Sequence, residues 1–242
     1  MDLGLRERVY LVTGGSAGLG FATAKELVAD GARVVLSGRN QQRLADAVEA
    51  LGAANAEGVC ADNADPEAAE RLVAAAVSRF GRLDGLLVSV GGPPPGTVLQ
   101  VGDDDWRGAF ESVFLGSVRL ARTAATRLGD GGAIAFVLST SVREPIPELG
   151  ISNGLRPGLA MVAKSLAGEL GPAGVRVNAL LPGLTATERM RELGNPSTAA
   201  IPLGRVAEPA EFGRVAAFVL SPAASYLTGA MIPVDGGRTR AL

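Results

Sequence analysis

Apolar positions along the chain fall into short, often β-branched runs that alternate with longer stretches of helical spacing. Val9–Val12, Arg33–Leu36, Gly58–Ala61, Leu83–Val90, Ala133–Leu138, Val175–Leu181 and Ala230–Val234 read as strands. Between them, Leu19–Ala29, Gln41–Leu51, Pro66–Phe80, Asp103–Leu128, a helix centred on Met161–Leu170, and Pro209–Leu220 read as helices. The strand runs are almost continuously apolar, as required where both faces of a sheet are covered. Such alternation joins parallel strands through helical crossovers. It predicts an α/β fold: a Rossmann-like, doubly wound parallel sheet of about seven strands with helices on both faces. In such a sheet ligands sit beyond the carboxyl ends of the strands, where strand order reverses. Chemistry is therefore sought in the loops that follow strands.

Composition removes several classes of function. The 242 residues, 47% hydrophobic, suffice for one large core, and no repeat or linker-like stretch divides them. A single α/β domain over residues 1–242 is predicted. Charges are interleaved and the net charge is −2, so neither a nucleic acid nor a membrane surface is an expected partner. There is no histidine and one cysteine, Cys60. Histidine-based metal sites, Ser-His-Asp triads, multi-cysteine metal sites and internal disulfides are thereby excluded. Met1–Val9 shows no secretory signal and no apolar run reaches membrane-spanning length, so a cytoplasmic location is expected.

The first strand runs into Thr13-Gly14-Gly15-Ser16-Ala17-Gly18-Leu19-Gly20, which opens the first helix. Small residues let the backbone turn sharply and approach a diphosphate, while the helix presents free amides and its positive dipole end. The spacing is T-G-x-x-x-G-x-G rather than G-x-G-x-x-G. Gly14, Ser16, Gly18, Leu19 and Gly20 are candidate phosphate contacts; a tight turn without a ligand is the alternative reading.

With this turn the chain resembles the short-chain dehydrogenase/reductase family, near the 3-oxoacyl carrier-protein reductases. Further matching pieces are Asp62, Val177-Asn178-Ala179, Pro182-Gly183-Leu184-Thr185-Ala186-Thr187, Tyr226-Leu227-Thr228-Gly229 and Val234-Asp235-Gly236-Gly237, so the likeness covers nearly the whole length. It implies that Asp62 and Asn63 meet the adenine, though Asp62 could instead cap the next helix. The family's N-N-A-G after the fourth strand reads Ser89-Val90-Gly91-Gly92 here, bringing Ser89 and Gly91 to the cofactor. Pro182, Gly183, Thr185 and Thr187 would touch its carboxamide and phosphates, and residues 184–202 would form a mobile lid over substrate. At the end of the second strand, Ser37-Gly38-Arg39-Asn40 offers no acid to hold ribose hydroxyls. Arg39 can pair with a 2′-phosphate instead, so NADP(H) is favoured over NAD(H). Ala17 stands where some members carry a second basic residue.

The resemblance breaks at the catalytic residues. Family members carry Ser, Tyr and Lys, with Tyr and Lys four residues apart on one helix, and an Asn on the preceding long helix. Alignment through Lys164-Ser165-Leu166-Ala167 places Ser139 at the Ser position, with Ser141 close by. Ser152 falls at the Tyr position, Arg156 at the Lys position and Val113 at the Asn position. A serine hydroxyl is far less acidic than a phenol and arginine stays protonated, so Ser152 cannot serve as a tuned acid. Arg156, one turn from Ser152, would bind the nicotinamide ribose and stabilise charge on a substrate oxygen. Pro157 sets the helix start near Ser152 or Asn153, its positive end toward the cleft. Alternatively Ser152 is only an N-cap and Arg156 only an anchor. Glu144 or Glu148 would supply a proton if buried; solvated charges are the other reading. Pro93–Pro95 either shapes the pocket or forms a stiff surface loop. Tyr10 and Tyr226 are read as structural.

The expected activity is NADP(H)-dependent interconversion of a small-molecule carbonyl and its alcohol, in a homotetramer or homodimer packed through the long helices. A non-catalytic dinucleotide-binding sensor or partner protein, and a non-redox lyase or isomerase, stay open as alternatives.

Overall fold

A computed structural model describes residues 2–192, 194 and 197–241. The strands are β1 (Val9–Val12), β2 (Arg33–Gly38), β3 (Ala56–Cys60), β4 (Gly85–Val88), β5 (Ala133–Val137), β6 (Arg176–Pro182) and β7 (Met231–Val234). They form one seven-stranded sheet in the order β3-β2-β1-β4-β5-β6-β7, every pair parallel. Val12 at the end of β1 pairs with Leu36 of β2 on one side and Leu87 of β4 on the other. Strand order thus reverses beside β1, directly before the glycine-rich turn.

The helices are α1 (Gly18–Ala29), α2 (Gln41–Leu51), α3 (Ala68–Phe80), α4 (Asp103–Ala109), α5 (Gly116–Ala125), α6 (Gly150–Leu170), α7 (Glu188–Glu192) and α8 (Pro209–Leu220). Successive strand residues point to opposite faces, so the sheet separates two cores. Val9, Leu11, Leu86, Phe136 and Val177 pack with α3, α5 and α6. Tyr10, Val12, Leu87, Ala135 and Leu180 pack with α1, α2 and α8. The doubly wound architecture read from the alternation is the one observed.

Most boundaries shift by one or two residues from the sequence reading, β3 to Ala56–Cys60 among them, and three differences bear on the site or its support. The strand expected over Leu83–Val90 is confined to Gly85–Val88, because Asp84 turns its carboxylate to Val9 N at 2.8 Å and to Arg82. The helix expected over Asp103–Leu128 divides into α4, a wider π turn at Phe110–Leu115, and α5, which ends at Ala125. Within it Ser112 Oγ donates to Gly108 O and Ser117 Oγ to Val113 O, hydroxyl bonds of the kind that loosen a helical ladder. Finally, α6 starts at Gly150, leaving Pro157 in its interior rather than its first turn. Tertiary ties outweigh the proline preference there. Gly150 N donates to Gly96 O at 2.9 Å, and the Asn153 amide both accepts from Ile146 N and donates to Ile146 O.

At the opposite end of the sheet, the buried Arg176 guanidinium donates to Val219 O at 2.8 Å and Ser221 O at 2.9 Å, with longer bonds to Leu220 O and Leu227 O. It thereby satisfies carbonyls at the end of α8, where the helix dipole is negative. Burial lowers its pKa.

Candidate active site

A cleft of about 960 Å³ opens beyond the carboxyl ends of the strands at the reversal point. That is at the upper end of the range for small-molecule and cofactor sites. Its floor is the turn between β1 and α1. Gly14 adopts φ 57°, and a Cβ there would lie 2.5 Å from Ser89 O. Gly18 adopts φ 55°, but a Cβ there would make only ordinary contact, with the Thr187 methyl at 3.6 Å. The N-cap of α1 is Ala17, and among the described residues no side chain accepts from the first amides of the helix. Those donors are left for a ligand. Thr13 fastens the turn to the end of β4: Ser89 N donates to Thr13 Oγ1 at 2.9 Å, and that hydroxyl donates to Ser89 O at 3.1 Å.

At one end the cleft is lined by Ser16, Leu19, Arg39, Asp62, Asn63 and Gly91. Asn40 accepts from Arg43 N at 2.9 Å and caps α2, which fixes Arg39 just before the helix. Asp62 accepts from Ala64 N in a local turn, whereas the N-cap of α3 is Glu67, so Asp62 does not cap that helix. The rim holds residues that the sequence reading did not single out. Arg43 Nη1 and Nη2 donate to both carboxylate oxygens of Glu188, at 2.8 and 3.1 Å. Arg189 Nη2 donates to Pro93 O at 2.8 Å. Helix α7 is thus tied to both flanks of the cleft, and Pro93 and Pro94 belong to the wall.

Residues 14–239 match the family described as enoyl-(acyl carrier protein) reductase. The chain is 36% identical over 249 residues to an L-rhamnose 1-dehydrogenase (NAD(P)(+)) of Azotobacter vinelandii, covering 96% of this chain and 97% of the relative. This chain belongs to the short-chain dehydrogenase/reductase family. Among solved structures, a short-chain dehydrogenase/reductase of Brucella melitensis superimposes with a TM-score of 0.95 at 29% identity, with 100% of both chains covered. An L-sorbose reductase of Gluconobacter frateurii, solved with NADPH and L-sorbose, gives a TM-score of 0.91 at 30% identity over 100% of both chains.

In this short-chain dehydrogenase/reductase the far end of the cleft gathers Ser139, Ser152 and Arg156, with Pro182 and Thr187 also in the lining. Ser139 Oγ accepts from Ser141 N at 3.1 Å and is half-buried, whereas Ser141 Oγ is buried without a partner. Ser152 is buried in the first turn of α6, whose N-cap is Leu149. The reading of Ser152 as an N-cap is therefore corrected. Arg156 is 7% exposed; its Nη1 donates to Val137 O at 2.9 Å. Among the described residues no carboxylate pairs with it, and burial alone pulls its pKa down to about 10. It remains a cation at neutral pH. Val113 is buried in the cleft wall, within the π turn.

Glu144 and Glu148 are exposed and stand outside this cleft; Glu144 Oε1 accepts from Arg240 N. Neither meets the burial condition set for a proton donor. Tyr10 is buried within the sheet, where burial pushes its pKa up, and Tyr226 is fully exposed, so neither phenol reaches the cleft. Gly20, Gly183 and Thr185 lie behind the lining: Gly20 against the backbone of Gly14, Gly183 against Asp235, and Thr185 buried on its own turn. Within the segment 184–202, Leu193, Asn195 and Pro196 lie outside the described residues. Among the described residues no group of acids or cysteine could hold a metal ion, and no helix is long and apolar enough to cross a membrane.

Proposed function

We propose that the chain is an NADP(H)-dependent oxidoreductase that interconverts a small-molecule carbonyl and its alcohol at an atypical active site, the whole chain acting as one unit. One observation carries this reading. A single cleft joins a cradle of uncapped amides at Gly14–Leu19 to a buried cation and two serines at Ser139, Ser152 and Arg156. The donor set suits an anionic dinucleotide: amides and a dipole end for the diphosphate, and Arg39 without a competing acid for a 2′-phosphate. The NADPH of the sorbose reductase and the NAD(P)(+) in the name of the rhamnose dehydrogenase support it.

When bound, NADP(H) would supply the hydride chemistry that links a carbonyl to its alcohol. Arg156 holds the hydroxyls of the nicotinamide ribose and sets its positive charge beside the oxygen that gains electron density. Ser139 Oγ donates a hydrogen bond to that oxygen. Ser152 is too weak an acid to protonate it, so a water admitted by the open cleft delivers the proton. We also propose a homodimer or homotetramer, cytoplasmic in location. Phe114 lies against α6 at Gly158 and is stacked by Phe110, and with Met161, 68% exposed, these residues offer the apolar face for it.

The test is a panel of sugars, ketones and 2-oxo esters with NADPH, followed by loss of absorbance. Consumption of NADPH that is lost in Ser139→Ala supports an oxidoreductase. NADPH binding without turnover, together with activity gained in Ser152→Tyr/Arg156→Lys, would establish a non-catalytic dinucleotide binder instead.

A further inference from the structure

The pairing of Arg43 with Glu188 carries a consequence for cofactor selection, resting on the NADP(H) reading above. Arg43 is in the first turn of α2, one turn after Arg39, and both line the end of the cleft where β2 ends. Its planar fork is engaged bidentately by Glu188, the first residue of α7. A carboxylate and a phosphate present the same pair of acceptor oxygens to a guanidinium. The two partners are 53% and 54% exposed, and ion pairs so exposed contribute little to stability, so this one exchanges readily. Arg39 has no acid among the residues of its turn, so the cationic subsite is already half made without Arg43.

We propose that Glu188 occupies part of the 2′-phosphate subsite in the free chain. The 2′-phosphate of NADP(H) displaces it from Arg43, binds between Arg39 and Arg43, and unfastens α7 from α2. Glu188 is then an internal competitor. A cofactor lacking the phosphate leaves the clasp closed, whereas one carrying it releases this flank of the lid. The Arg189 bond to Pro93 O is untouched, so α7 stays hinged on the opposite rim. No covalent change is involved; the exchange is one anion for another on the same guanidinium.

Adenosine 2′,5′-bisphosphate and 5′-AMP differ only in this phosphate, so calorimetry of both on the full chain isolates it. Wild type should bind the bisphosphate more tightly than AMP. Arg43→Gln should weaken the bisphosphate about tenfold and leave AMP unchanged. Glu188→Gln should tighten the bisphosphate about threefold, again without effect on AMP. Hydrogen exchange at residues 188–191 should rise on adding bisphosphate but not AMP, and Glu188→Gln should show the faster exchange beforehand. If wild type favours the bisphosphate and both variants keep that preference unaltered, the clasp proposal is overturned while the NADP(H) reading stands. Equal changes toward both nucleotides would reduce the pair to a structural strut and also overturn it. If wild type binds neither nucleotide nor NADPH, the cofactor reading itself falls and takes the clasp with it.

Discussion

Single residues divide sharply between those that shape the cleft and those placed in it. Gly14 and Gly18 share a left-handed backbone but not the same surroundings. A methyl at Gly18 meets only backbone strain, worth about 1–2 kcal/mol, whereas at Gly14 it also collides with Ser89 O. Gly14→Ala should therefore lower the denaturant midpoint by the equivalent of about 3 kcal/mol or more, against about 1 kcal/mol for Gly18→Ala. On the proposed cofactor reading, Gly18→Ala should nonetheless weaken NADPH binding, measured by calorimetry, because Gly18 lines the cleft at the start of α1. Arg156 shows the converse balance of stability and use. A buried guanidinium without a counter-charge is costly, and one bond to Val137 O recovers only part of the loss. Arg156→Met should raise stability by about 1–2 kcal/mol in urea titrations while cutting NADPH turnover. An unchanged or lower midpoint would mean that the cation is well satisfied where it lies.

At the scale of elements, strands and most helices were legible because their apolar spacing is strong, but the start of α6 and the break before α5 were not. Pro157 marked a helix start on local preference alone; bonds from Gly96 and Ile146 extend α6 two residues earlier, and no local pattern announces partners so far along the chain. The π turn at Phe110–Leu115 is likewise hidden, since one extra residue in a turn barely alters an apolar stripe. Since Pro157 withholds an amide from the interior of α6, Pro157→Ala should stabilise the chain by about 1–3 kcal/mol, read from the thermal midpoint. No gain would show that the proline ring packs well enough to compensate. The site followed the same division. The glycine turn and Arg39 could be named from their places after β1 and β2, and Ser139, Ser152 and Arg156 only through the family resemblance. The Arg43–Glu188 clasp joins residues 145 apart and exists only once the sheet has brought α2 and α7 to one rim.

For the whole molecule, the alternation of elements revealed a parallel sheet covered on both faces. Which strands flank β1 rests on the crossovers, and no strand order was read from the sequence. Tyr10 lies at the centre of that sheet, and burial raises its pKa above the ordinary 10.0. The unfolded chain releases this proton more readily than the folded one, so its contribution to stability is complete below pH 10 and is lost as pH rises beyond it. Denaturant midpoints of the wild type should fall relative to those of Tyr10→Phe as pH rises above 10. The buried Arg156 and Arg176, whose lowered pKa values act in the opposite sense there, are common to both proteins, so the difference reads the tyrosine alone.

Arg176 sets an order of events during synthesis. Its guanidinium opens β6, yet the four carbonyls that receive it belong to residues 219–227, made at least 43 positions later. Until those peptide groups leave the ribosome, a charge destined for the interior has no acceptors, and the second half of the sheet has every reason to stay open. A nascent chain stalled before Val219 should remain a target for proteases and chaperones, however complete its nucleotide-binding half already is.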